Sequence, residues 1–239
     1  MNEHGTALIT GGARRIGRAI ALRLADLGFS IALHYNGSRE DAERVGDELR
    51  RAGARCSLFQ CDFDDGDAVL RLIGDVVATC PDLSALVNNA SIFERGPLLE
   101  TDPTLFDRHF RINLRAPFFL TRDFARRRRR GHVINLVDTK INRNADPYFA
   151  YTLTKKTLYE FTKMAAVQLG PGVRVNAVGP GLVLPPPGKD ESYLVEQARS
   201  IPLQRHGDAA SVCDAVAFLV KNTFVTGQVI YVDGGAHLL

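Results

Sequence analysis

Short apolar runs rich in β-branched residues alternate along this chain with longer stretches in which apolar residues recur at helical spacing. The runs Thr6–Thr10, Ser30–His34, Ser57–Gln60, Leu83–Val87, His132–Val137, Val173–Val178 and Val229–Val232 predict buried strands. Between them the spacing predicts a helix carrying Ile20, Leu22 and Leu24, then helices over Asp41–Ala52, Asp67–Ala78, Tyr148–Leu169 and Ala209–Val220. A further helical stretch contains Asn113 and Pro117. Strands and helices in strict alternation imply an α/β fold whose parallel sheet is covered on both faces. No linker or repeat interrupts the pattern, so residues 1–239 are expected to form one domain. Its nucleotide-binding part is expected mainly in residues 6–95, and its catalytic and substrate-loop part in 105–239.

Composition narrows the class. The chain is 45% hydrophobic and 24% charged, enough apolar material for a large core. A net charge of +3 does not call for a nucleic-acid partner. Cys56, Cys61, Cys80 and Cys213 have neither metal-ligand spacing nor a disulfide pattern, and the six histidines are scattered, so a cytoplasmic protein without a bound metal is expected. Met1 is followed within a few polar residues by the first strand, which leaves no room for a signal peptide, and no apolar run approaches the roughly 20 residues that cross a bilayer.

Candidate chemistry gathers between Asn135 and Lys155. Asp138 ends the predicted fifth strand, and in an open parallel sheet that end faces the crevice where ligands bind. Tyr151 and Lys155, at i and i+4, share a helix face. A free phenol, with a pKa of about 10, is a poor proton donor at neutral pH, and an adjacent ammonium brings it nearer to working range. Tyr-x-x-x-Lys also occurs as an ordinary pair on amphipathic helices. What gives it weight here is an acid at the preceding strand end and a nucleotide motif near the N-terminus.

That motif is Gly11-Gly12-Ala13-Arg14-Arg15-Ile16-Gly17, lying between the first strand and a helix. Such a turn brings backbone N–H groups and the positive end of a helix dipole close to a diphosphate, although glycine-rich turns also serve as plain connections. The second strand ends in His34-Tyr35-Asn36-Gly37-Ser38-Arg39, with no carboxylate before Glu40 to accept from a ribose 2'-hydroxyl. Arg14 and Arg39, with Ser38 donating, could instead hold a 2'-phosphate, which favours NADPH. In the alternative, both arginines are solvated and pair with Glu40 and Asp41. Asp62 could accept from an adenine amino group or cap a helix within Asp62-Phe63-Asp64-Asp65.

After the fourth strand, Asn88-Asn89-Ala90-Ser91-Ile92-Phe93 combines small and amide-bearing residues with a ring that could stack on a flat heterocycle or belong to the core. Gly179-Pro180-Gly181-Leu182-Val183-Leu184 and Pro185-Pro186-Pro187 suit a loop over substrate. The five arginines Arg126–Arg130 invite a nucleic-acid reading, but at a helix end before a strand they complement the dipole and remain solvated.

In this order Thr10-Gly11 with Gly17, Asn88-Asn89-Ala90, Asn113, Tyr151-x-x-x-Lys155 and Pro180-Gly181 resemble the signature of the short-chain dehydrogenase/reductases over nearly the whole chain. The resemblance implies a Rossmann-like doubly wound sheet of about seven strands and hydride transfer from a nicotinamide. Tyr151 is then the proton donor, Lys155 lowers its pKa and holds the nicotinamide ribose, and Asn113 supports Lys155 through water. It further implies a cofactor site made of Gly11, Arg14, Arg15, Ile16, Gly17, His34, Tyr35, Asn36, Ser38, Asp62, Phe63, Asn89, Ala90, Lys155, Pro180, Gly181 and Leu182. A homotetramer built through the helices of Asn113 and Tyr151 is also implied.

Two departures are informative. The family usually has glycine where this chain has Arg15 and serine where it has Asp138. With Ser91, Phe93 and the His34-Tyr35 segment, these are similar to the pteridine reductase branch, which includes bacterial dihydromonapterin and dihydrofolate reductases. There the arginine reaches toward pterin and diphosphate, the phenylalanine stacks on the pterin, and the aspartate joins Tyr and Lys. Val183 stands where some members of that branch carry a substrate-contacting serine.

The expected activity is therefore NADPH-dependent reduction of a dihydropterin, be it dihydromonapterin, dihydrobiopterin or dihydrofolate. Arg15, Ser91, Phe93, Asp138 and Tyr151 would meet the substrate. Delivering a proton to a ring nitrogen suits a carboxyl group beside Tyr151 better than it suits a serine. The rivals are a general carbonyl or 3-oxoacyl reductase and a non-catalytic NADPH sensor.

Overall fold

A computed structural model describes residues 4–142, 144, 147–186 and 188–239. Seven parallel strands form one sheet: β1 (Thr6–Ile9), β2 (Ser30–Tyr35), β3 (Cys56–Gln60), β4 (Leu83–Asn88), β5 (Gly131–Leu136), β6 (Val173–Pro180) and β7 (Val229–Val232). Their order is β3-β2-β1-β4-β5-β6-β7, so the direction of winding reverses between β1 and β4. A crevice opens at such a reversal, outside the carboxyl ends of the strands.

Side chains that alternate along β1 enter different cores, as strand geometry requires. Ala7 and Ile9 pack with α1 (Arg15–Asp26), α2 (Arg39–Arg51) and a late helix over Ala209–Lys221, through Ile20, Leu24, Leu49, Val212 and Val216. Leu8 points the other way. It joins α3 (Gly66–Thr79) and helices over Ala116–Arg127 and Phe149–Leu169, through Ile73, Leu120, Phe124 and Ala165. Both faces are thus sealed by helices, and ligands are left the edge formed by the strand ends.

The pattern of apolar residues predicted all seven strands. It did not predict how the stretch around Asn113 is divided. That stretch comprises α4 (Pro103–Phe110), a π-helical turn over Arg111–Arg115 and α5 (Ala116–Arg127). A π turn holds one extra residue per turn, which apolar spacing over so few residues does not reveal. Helix α6 (Phe149–Leu169) starts one residue later than expected, with Tyr148 at its N-cap. A short α7 (Glu191–Ala198), capped by Asp190, had not been predicted, and α8 spans Ala209–Lys221. Arg126 and Arg127 end α5, as a dipole-complementing role requires. Pro187 lies outside the described residues.

Candidate active site

The turn after β1 and the loop after β4 are laced together by hydrogen bonds. Thr10 Oγ1 accepts from the N–H groups of Asn89 (2.9 Å) and Ala90 (3.0 Å), and Asn89 Nδ2 donates to the carbonyls of Thr10 (2.8 Å) and Gly11 (3.1 Å). Gly11 adopts φ +62°, a conformation that glycine tolerates best. Gly17 packs so tightly that an added Cβ would lie 2.2 Å from the Gly11 carbonyl oxygen. Helix α1 begins there with no side-chain cap and no acidic residue in its first turn, so its N-terminal N–H groups and positive dipole end meet the crevice unneutralised.

His34 closes this cradle from beneath. Its Nδ1 accepts from Gly11 N–H (3.1 Å), its Nε2 lies 2.9 Å from the Cys61 carbonyl, and its ring stacks on Phe63 at 4.4 Å. The tautomer carrying the proton on Nε2 satisfies both contacts. Burial lowers its pKa to about 4 against the pull of the Cys61 carbonyl and Asp62. His34 therefore supports the turn as a neutral, buried group.

A cavity of about 440 Å³ lies above this cradle, and Gly11, Arg14, Arg15, Ile16, Gly17, His34, Tyr35, Asn36, Ser38, Asp62, Phe63, Asn89 and Ala90 all line it. Asp62 is not the cap of α3. Asp65 fills that place by accepting from the N–H groups of Asp67 and Ala68, while Asp62 accepts from Asp64 N–H and faces the cavity. Arg14 is paired with Asp41, which Arg44 also contacts, and Arg39 is paired with Glu43 one helical turn on. Arg108, which local sequence did not single out, also lines the cavity while pairing with Glu94 and Asp64.

Arg15, Ile16, Asn89 and Ser91 continue into a second cavity of about 180 Å³, together with Leu136, Asp138, Tyr151, Lys155, Pro180, Gly181 and Val183. Here three of the four expected catalytic residues, Asp138, Tyr151 and Lys155, converge. Tyr151 Oη donates to Asp138 Oδ2 at 2.6 Å, and the N–H of Lys140 donates to Asp138 Oδ1 at 2.8 Å. Burial pushes the Asp138 carboxyl above the usual carboxylate range, although the hydrogen bonds from Tyr151 and Lys140 N–H and the charges of Lys140 and Lys155 pull the other way. Lys155 is buried, donates to the Leu136 carbonyl (2.8 Å), and has its pKa lowered by burial to about 8, with Asp138 opposing.

Other expected site residues occupy different places. The Asn113 carboxamide is engaged by the loop after β4, accepting from Ile92 N–H (2.9 Å) and Ser91 Oγ (3.1 Å) and donating to the Ile92 carbonyl (3.0 Å). Phe93 is 38% exposed, so it is not a core residue; one ring face stacks on Tyr148 at 4.0 Å and it meets Tyr151 edge-on at 4.7 Å. Helical spacing marks Tyr148 only as the start of α6, and nothing local signals its stacking on Phe93. Leu182 stands beside Gly181 with its carbonyl accepting from Gly207 N–H. Arg15 has φ +51° and donates to the Pro185 carbonyl at 2.7 Å, bridging the glycine turn and the loop after β6.

A glycine turn at the winding reversal, opening onto a Tyr-Lys pair on α6 beside the end of β5, is the arrangement a hydride-transfer enzyme of this fold needs. A family model described as enoyl-(acyl carrier protein) reductase matches residues 11–237. The chain belongs to the short-chain dehydrogenase/reductase family. The chain is 34% identical over 242 residues to 3-oxoacyl-(acyl-carrier-protein) reductase FabG of Staphylococcus epidermidis, covering 98% of this chain and 99% of that one. Versicolorin reductase 1 of Aspergillus parasiticus is 33% identical over 251 residues, covering 96% of this chain and 95% of that protein.

Among solved structures, FolM alternative dihydrofolate reductase 1 from Brucella suis, in complex with NADP, matches with a TM-score of 0.94 at 33% identity. The match covers 100% of this chain and 97% of that one. Its counterpart from Brucella canis, also complexed with NADP, gives 0.94 at 34%, covering 100% and 96%. As a short-chain dehydrogenase/reductase, this protein is an oxidoreductase. No helix among its described residues is long and apolar enough to cross a membrane.

Proposed function

We propose that this reductase is a cytoplasmic enzyme that reduces a dihydropterin to its tetrahydro form. Its cofactor is NADPH, which the two Brucella relatives carry as NADP and which the residues here fit. The uncapped start of α1 and the crowded Gly17 suit a diphosphate, and no carboxylate stands at the end of β2 where a 2'-phosphate would lie. Arg14 and Ser38 line that end of the cavity and are the residues assigned to the phosphate. When bound, the cofactor supplies the hydride.

The observation that carries the substrate assignment is the carboxyl group of Asp138, 2.6 Å from the phenol of Tyr151, where most of the family has a serine. A C=N bond gains hydride at carbon and needs a proton at nitrogen. Tyr151 Oη donates to Asp138 Oδ2 in a short hydrogen bond, and burial, by raising the pKa of the carboxyl, lets Asp138 take up a proton of its own more readily than an ordinary carboxylate does. The pair can pass the proton to nitrogen and take another from solvent. Lys155 sets the phenol's electrostatics from the neighbouring turn of α6. Arg15 and Ser91 face the same cavity and are assigned to the pterin's polar edge. Phe93, which stacks on Tyr148 and meets Tyr151 edge-on, is assigned the stacking role through its other ring face.

The FabG relatives support a second reading, reduction of a 3-oxoacyl thioester. Asp138→Ser separates the two. A pterin reductase should lose about a hundredfold in kcat on dihydropterins, measured by NADPH absorbance. A wild type that reduced acetoacetyl thioesters and left dihydrobiopterin, dihydromonapterin and dihydrofolate untouched would refute the pterin assignment.

The groove between α4, α5 and α6, about 510 Å³ and lined by Phe110, Leu114, Phe118, Phe161 and Met164, supports self-association through this face. Met164 is 68% exposed there. A homotetramer is the proposed assembly.

A further inference from the structure

We infer that Asp233, outside the cavity, is a positioning residue that holds the two catalytic walls in register, an inference that rests on the proton role proposed for Asp138. Asp233 follows β7 and is 6% exposed. Its Oδ2 accepts from Thr139 Oγ1 at 2.6 Å and from His237 N–H at 2.8 Å, and its Oδ1 accepts from Gly235 N–H at 3.0 Å. His237 Nδ1 lies 3.0 Å from Oδ2 and 3.1 Å from Oδ1.

Thr139 is the link to the chemistry. It sits between Asp138 and Lys140 in the turn whose N–H at Lys140 orients the Asp138 carboxylate. A carboxyl group that accepts from Tyr151 at 2.6 Å needs its backbone fixed, because the short hydrogen bond tolerates little displacement. The Thr139 to Asp233 bond ties that turn to β7, from the far end of the sequence.

The opposite wall meets Asp233 by close packing, beside a backbone hydrogen bond to its neighbour Val232. Gly181 lines the catalytic cavity, and a Cβ on it would meet Asp233 Cβ at 2.6 Å and Asp233 Cα at 2.8 Å, while Gly181 N–H donates to the Val232 carbonyl at 3.0 Å. Asp233 is thus wedged between the turn that carries Asp138 and the loop that begins at Gly181. The Gly235 and His237 contacts explain it as a cap of the C-terminal turn, but they do not explain the bond to Thr139.

Thr139→Val removes the one donor and keeps the side chain's shape. Its expected effect is a fall of about tenfold in kcat with KM for NADPH unchanged, since the cofactor cradle on β1 and β4 is untouched. Thr139→Ser should restore kcat to within about twofold. Asp233→Asn keeps an acceptor oxygen for Thr139 and should lie between the two. The assay uses whichever substrate wild type turns over, dihydropterin or 3-oxoacyl thioester, so a failed pterin assignment does not disguise the result. Wild-type kcat in Thr139→Val with only a lowered Tm would overturn the inference and leave Asp233 as a turn cap.

Discussion

The wall of the cleft built on β1 and β4 consists mainly of backbone and amide groups, whereas the wall built on β5 and α6 consists of a carboxyl, a phenol and an ammonium. On the first wall Thr10, Gly11, Asn89 and Ala90 bond one another, and His34 is held neutral with its pKa near 4. On the second, burial raises Asp138 and brings Lys155 to about 8. A wall that binds a fixed anion needs oriented donors whose charge is independent of pH. A wall that moves protons needs groups whose charge is poised to change. The difference teaches where function should respond to geometry and where it should respond to protonation.

The sharpest way to break the contrast is Tyr151→Phe. It should lower kcat by about a thousandfold or more, with NADPH affinity, followed by nicotinamide fluorescence, nearly unchanged. Gly17→Ala should do the converse. Its Cβ meets a backbone oxygen at 2.2 Å, so the turn must open, and NADPH affinity should fall by about a hundredfold with a lowered Tm.

The third comparison is a pH series. The Lys155 pKa is depressed from 10.5 to about 8 by burial, so its ammonium is present below pH 8 and is lost as pH rises through that value. The rate should therefore fall about tenfold per pH unit well above pH 8, while NADPH binding at the first wall changes little. A rate that stayed flat to pH 10 would mean that the ammonium is not needed. The smallest effect is expected at Arg14, an exposed residue whose guanidinium is shared with Asp41. Arg14→Ala should raise KM for NADPH by about tenfold or less and leave KM for NADH alone.

How much of this was legible in the sequence follows the same division. The inner strands are mostly apolar because a parallel sheet buries both faces, the edge strands β3 and β7 are only partly buried, and Asp138 and the glycine turn announce themselves by standing at strand ends. Tyr151 and Lys155 were legible because one helical turn separates them. The contacts that cross the fold were not. Arg108 reaches the cavity from α4 with no local signal, and the bond from Thr139 to Asp233 spans 94 residues. Asp62 and Asp65 could not be told apart as caps, since either could start α3 and only backbone geometry chooses. The π turn at Arg111–Arg115 was hidden because five residues are too few to betray a change of period.

At Arg15 the main chain takes a left-handed bend that a glycine would make without strain and that a side chain resists by about 1 to 2 kcal/mol. In exchange, its guanidinium reaches the Pro185 carbonyl and ties the glycine turn to the loop after β6. A glycine at this point would relax the bend and lose that tie, so local backbone comfort and the joining of two distant loops are set against each other at one residue.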